Sequence, residues 1–103
     1  TDTTGVGTAR TGIGAAGYGD DKGIFAYGHD GGVVSMSNLV NNSGVVAADV
    51  TGVGTARSSL AAAAYGTDKA IFGYGLTPSQ VSMTNLVSNS GVIQVELWLI
   101  CQI

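Results

Sequence analysis

The sequence predicts an all-β protein built from two similar four-stranded antiparallel units, and three observations carry that prediction. One block is written twice: residues 4–28 read TGVGTARTGIGAAGYGDDKGIFAYG and residues 51–75 read TGVGTARSSLAAAAYGTDKAIFGYG. Sliding the chain on itself by 47 positions aligns 4–50 with 51–97 without a gap, and 27 of the 47 pairs are identical. Self-similarity at a period of tens of residues is the mark of a repeat architecture. Glycine, 17 residues of 103, recurs too often for an apolar stripe of helical spacing to survive. Turn residues also cut each unit into four segments of strand length.

In chain order, the first expected strand covers residues 12–18 (GIGAAGY), matched by 59–65 (SLAAAAY). Gly19-Asp20-Asp21, or Gly66-Thr67-Asp68, then supplies a tight hairpin turn. The second strand is 22–27 (KGIFAY), matched by 69–74. Residues 29–33 (HDGGV) and 76–80 (LTPSQ) share nothing, which marks a tolerant surface loop. A third strand is predicted at 34–40 and 81–87. Asn-Ser-Gly turns follow, and a fourth strand is expected at 45–49 and 92–97.

Four antiparallel strands in about 40–50 residues is the size of a propeller blade. Side-chain volume agrees. The first strand is nearly all Ala and Gly, as an innermost strand must be where blades crowd a central channel. Alternation along the second strand puts Phe25 and Tyr27 on one face and Ile24 and Ala26 on the other, repeated by Phe72 and Tyr74 against Ile71 and Gly73. One bulky face and one small face allow neighbouring blades to interlock, large onto small.

The order Arg, Ala-rich strand, Asp-Lys turn, Ile-Phe-x-Tyr-Gly, variable loop, Asn-Ser-Gly-Val and Gly-Thr-Ala-Arg resembles kelch-type propeller repeats, over both units. It departs from that pattern in two places. The kelch glycine doublet is a single Gly28 or Gly75, and Val45 or Val92 stands near where a tryptophan is usual. The resemblance implies a blade and is silent on ligand. An irregular glycine-rich β-sandwich and a β-solenoid are the competing architectures.

Two blades, residues 4–50 and 51–97, leave two outer faces bare, and exposed apolar area on that scale drives association. The sequence therefore predicts head-to-tail assembly into a homo-oligomer, most simply three chains completing a six-bladed ring, in a manner similar to small two-blade lectins that trimerise. A fragment of a longer array is the alternative. Thr1-Asp2 aligns with Ala48-Asp49, so the chain starts inside the repeat pattern, as a trimmed product would. Where a third TGVGTAR would begin, the chain reads WLICQI. Residues 92–103 alternate like one long strand, which is expected to seek a neighbouring chain at an exposed edge.

Charge is sparse: 11% of residues, with a net charge of −3 and only four Lys or Arg. That balance argues against nucleic acid or an anionic membrane as partner, and no apolar run reaches the roughly 18 residues of a spanning helix. Cys101 is the single cysteine, so no intramolecular disulfide is expected. Few side chains invite chemistry. His29-Asp30 could orient a proton transfer, but its counterpart is Leu76-Thr77, and a solvated loop explains it better. Asp20-Asp21 has too few carboxylates around it for calcium and suits a hairpin. No phosphate loop, nucleophile elbow or zinc spacing is present, so neither catalysis nor a cofactor or metal is expected.

Arg10 and Arg57 recur in step with Asp2, Asp49 and Glu96, which suggests ion pairs or hydrogen bonds to loop carbonyls tying blade to blade. Their functional reading is a ligand pocket between blades, where a carboxylate or sugar hydroxyls would bind. Trp98 is the other candidate ligand-binding residue, an aromatic suited to a binding surface or to an intersubunit contact. The function expected is thus a non-catalytic binding module, with carbohydrate as the ligand class suggested. A structural, self-assembling surface or virion-associated repeat protein is the rival.

Overall fold

The structure is a computed structural model and describes residues 5–94. Among these there is no helix. Two three-stranded antiparallel sheets are present, one per repeat. The first contains β1 (Gly14–Tyr18), β2 (Lys22–His29) and β3 (Val33–Val40). The second contains β4 (Ala61–Tyr65), β5 (Lys69–Gly73) and β6 (Thr84–Val87). Each middle strand pairs with the other two members of its sheet.

The duplication extends to register. Gly14 pairs with Ala26 and Tyr18 with Lys22, as Ala61 pairs with Gly73 and Tyr65 with Lys69. Both hairpins turn through two successive left-handed residues: Gly19 (φ 59°) and Asp20 (φ 72°), then Gly66 (φ 60°) and Thr67 (φ 68°). Positive φ at adjacent positions suits the twist of the flanking strands, and aspartate tolerates it better than a β-branched threonine. Lys22 and Lys69 close the turns on Asp21 and Asp68 at 3.0 and 2.9 Å.

The face assignment along β2 needs correction. The register between β2 and β3 shifts between Ala26 and Gly28: Tyr27, left-handed with φ at 65°, stands alone opposite Ser35 and Met36, the bulged pair of β3. A left-handed residue opposite a bulge breaks the period of two and re-aims its side chain. Tyr27 accordingly leaves the face of Phe25 and joins Ile24 and Ala26 in the buried core, while Phe25 stays half-buried on the opposite side. Gly28 (φ 111°) makes the bulge possible, since a Cβ there would lie 2.6 Å from Ile13 Cγ2 and 2.7 Å from Thr11 O. Tyr74, with φ at 64°, repeats the conformation.

Among the described residues, the fourth segment of each unit, expected as a strand, makes single antiparallel bridges to the third: Val40 with Val46, Ser37 with Val50, and Val87 with Ile93. Backbone bonds hold it there, Ala47 N–H donating to Leu39 O and Gln94 N–H to Leu86 O, each 2.8 Å. The ladder is interrupted because a side chain intercepts it: Asn38 Nδ2 donates to Ala47 O at 3.1 Å and Asn85 Nδ2 to Gln94 O at 2.9 Å. The remainder of the long alternation expected over 92–103 lies outside the described residues beyond Gln94.

The core belongs to both sheets. Tyr18, Ile24, Ala26 and Tyr27 of the first unit meet Leu60, Ala70, Phe72, Val87 and Ile93 of the second. β1 lies against β4 and β5. Phe72 packs on the first strand at Gly14, where an added Cβ would come within 3.0 Å of Phe72 Cδ1 and 3.2 Å of Leu60 Cδ1. Backbone bonds cross the junction as well: Gly28 N–H to Arg57 O (2.7 Å), Ser59 N–H to Gly12 O (2.8 Å) and Gly19 N–H to Asp68 O (2.6 Å).

Candidate functional site

The repeated polar residues gather around the two arginines. Each arginine ends a GVGTAR segment with close backbone approaches: an added Cβ at Gly7 would meet Asp49 and Asn38 of its own unit, and one at Gly52 would meet Ser35 of the first unit. Arg10 donates through Nη1 to Met36 O (3.1 Å) and Tyr27 O (3.3 Å), and through Nε to Thr8 O (3.1 Å). Its Nη2 donates to Asn38 Oδ1. Arg57 repeats the pattern on the second sheet, with Nη1 on Met83 O (3.1 Å) and Nη2 on Asn85 Oδ1. A planar guanidinium, with five donors in a fixed fork, suits several carbonyls at once.

The asparagines pass the connection outward. Asn38 accepts from Arg10 on one side of its amide and donates on the other to Ala47 O and to Asp49 Oδ1 (2.8 Å). Asp49 in turn accepts from Thr8 Oγ1 at 2.7 Å and Thr8 N at 3.3 Å. Those donors, Asn38 first and Thr8 next, hold the Asp49 carboxyl below its ordinary value of 3.8. One network thus ties the GVGTAR segment, the third strand and the fourth segment of a unit together. Arginine and Asp49 meet through Asn38 rather than in a direct ion pair. Asp2 and Glu96, the other acidic residues in step with the arginines, lie outside the described residues.

The tie between units has a different composition from the one expected. The arginine side chains bond carbonyls of their own unit, and the crossing contacts involve Tyr27. Its ring lies under the Arg57 guanidinium, 4.7 Å from carbon to centroid, and meets the Phe72 ring edge-on at 5.4 Å and 69°. Its hydroxyl donates to Val53 O at 3.0 Å. Arg57 is 0% exposed, and among the described residues no acceptor reaches its Nε.

The three candidate ligand residues therefore part company. Arg57 is enclosed by the junction and turns no surface to solvent. Arg10 is half-buried and lines an open cleft with Val6, Thr8, Ile13 and Phe25. Trp98 lies outside the described residues. Sequence reasoning passed over Asn38 and Asn85, although asparagine repeated in mid-strand, where it is disfavoured, was the available signal. It also missed the left-handed Tyr-Gly pair, Tyr27-Gly28 and its copy Tyr74-Gly75, which takes successive positive φ values.

The loop expected at 29–33 is shorter: His29 ends β2, paired with Val33, and Asp30 follows in the turn; both are exposed, and His29 Nδ1 accepts from Gly31 N–H at 3.3 Å. Asp20 occupies the hairpin turn, and among the described residues no three His, Cys, Asp or Glu side chains cluster as metal ligands would. No protein-family model matches the sequence, and no curated protein does either.

Proposed function

We propose that this chain is a non-catalytic repeat protein whose units are kelch-like propeller blades, and that it works by association through the faces at the two ends of the pair. One observation carries the reading. The repeated polar residues are committed to the internal bonding of their own units, with Arg57 wholly enclosed, so that the recognition chemistry left over is aromatic and aliphatic. Taking the fourth segment as the outermost strand of a blade is supported by its backbone bonds to the third strand. Taking the Ala-rich strands as innermost is supported by the packing of β1 against β4 and β5.

Three chains closing a six-bladed ring is the simplest closed form. Light scattering tests it: a mass near three times 10.3 kDa is expected, and a 10.3 kDa species at every concentration overturns it.

A second reading, a carbohydrate-binding module, has a specific observation behind it. Arg10, unlike Arg57, is half-exposed in a cleft that joins Thr8 to the Phe25 ring, a polar and aromatic lining of the kind sugars use. Calorimetric titration with neutral and acidic oligosaccharides decides it. Saturable binding lost in Phe25→Ala favours this reading, and no heat across the panel removes it.

A further inference from the structure

The junction between the units is a template for a second junction that one copy of the chain leaves open. Both tyrosines that unit one buries in the shared core have counterparts, 47 positions on, turned to solvent. Tyr27 is 0% exposed and Tyr74 61%; Tyr18 is 5% exposed and Tyr65 38%. The reverse holds on the other side. Arg57 and Phe72 are buried, while their counterparts Arg10 and Phe25 are half-buried on the open cleft. Val53 packs against the core, and its counterpart Val6 is 48% exposed. Gly91 is covered by the Tyr18 ring, and its counterpart Gly44 has nothing near it.

We propose that a second copy of this chain docks head to tail across these faces. Tyr74 of one copy enters the cleft between Val6, Arg10 and Phe25 of the next. The inference rests on reading the units as successive members of an assembly, and it adds the polarity and residues of the contact. Tyr74 already holds the left-handed backbone conformation of Tyr27, φ 64° against 65°, so no backbone rearrangement is asked at the docking residue. The Arg10 guanidinium would lie against its face as Arg57 lies against Tyr27, and the phenol would reach Val6 O as Tyr27 reaches Val53 O. Gly75 N–H and Arg10 O are the counterparts of the backbone pair Gly28 and Arg57.

Not every contact is a copy, since Leu60, Ala70 and Ile93 of the shared core have Ile13, Gly23 and Val46 as counterparts. Ala61 stands where unit one has Gly14, so its methyl meets Phe25 and the approach opens by a few tenths of an ångström. The contact is heterologous, so it generates a ring when the rotation closes and a filament when it does not.

Two blocked chains test the polarity. Tyr74→Asp blocks the tail and Val6→Asp blocks the head; both residues are exposed, and circular dichroism melts verify that each variant folds. Tyr65→Asp serves as an independent tail block should Tyr74→Asp fail that check. By analytical ultracentrifugation the wild type is expected to associate, and each variant alone to sediment at 10.3 kDa, its affinity weakened roughly 30-fold or more. Mixed in equal amounts, the two variants are expected to form a dimer and stop there, because each contributes its one intact face. Undiminished assembly of Tyr74→Asp and Tyr65→Asp overturns this interface while the association reading stands. Monomeric variants that fail to pair also overturn it, and a wild type that never associates removes both proposals.

Discussion

Tyr27 and Tyr74 share a sequence context and a left-handed backbone angle, yet one is the buried centre of the molecule and the other projects into solvent. The same contrast separates Arg57 from Arg10 and Phe72 from Phe25. Conformation is therefore written into each unit by its own short-range chemistry, whereas burial is conferred by a neighbour. That division explains why an arginine that looks like a ligand hook in sequence can be a fully enclosed structural cation in one unit and a half-exposed one in the next.

The largest effect that would sharpen this contrast is expected at the two tyrosines. Tyr27→Ala removes the ring that Arg57 and Phe72 cover and should destabilise the chain by about 3–5 kcal/mol. Tyr74→Ala should stay within about 0.5 kcal/mol. Urea unfolding of both at low protein concentration measures the difference, and equal costs would break the comparison.

Next come the asparagines. Asn85→Leu leaves a buried guanidinium short of its acceptor and should cost about 2–3 kcal/mol. Asn38→Leu should cost about half that, because water reaches the half-buried Arg10; denaturation midpoints distinguish them.

At the hairpins the asymmetry runs the other way. Thr67→Asn relieves a β-branched residue at φ 68° and should add about 1 kcal/mol, seen as a rise of about 4–8 °C in Tm. Asp20→Asn, already at ease in the left-handed region, should change Tm little.

The smallest effect is electrostatic. Asp49 in its Asn38 and Thr8 bonds, Asp21 beside Lys22 and Asp68 beside Lys69 all have folded values depressed below 3.8. Their contribution is thus present above the unfolded value and is lost as pH falls through the lower folded ones. Lys22 and Lys69 are raised, so theirs is present below 10.5 and lost as pH rises beyond it. All these groups reach solvent, Asp68 half-buried and the others exposed, so the acid loss should be shallow. Asp49→Asn should flatten it further in urea titrations between pH 7 and 3.

What could be read from the sequence follows the same division. The period of 47 residues, the hairpin turns and the strand pairs within each sheet are local matters, and the text of the repeat carries them. Strict alternation failed at Tyr27, because the bulge depends on a glycine at the next position and on the close approach of Ile13 and Thr11, which lie far back in the chain. Among the described residues the fourth segment forms bridges rather than a continuous strand for a similar reason. Its residues read as β, but Asn38 and Asn85 spend their amides on the carbonyls a ladder would have used. The arginines showed that they recur in step; which of them a neighbour would enclose is a property of packing between units, not of either copy's text.

The crossing bonds at Gly28, Ser59 and Gly19 have a kinetic meaning. Neither sheet owns a complete interior, so opening one strips water-excluding cover from the other, and amide exchange in β2 and β5 should slow and quicken in concert. A chain nicked between Val50 and Thr51 would then release two halves that unravel, each holding the template of a partner it has just lost.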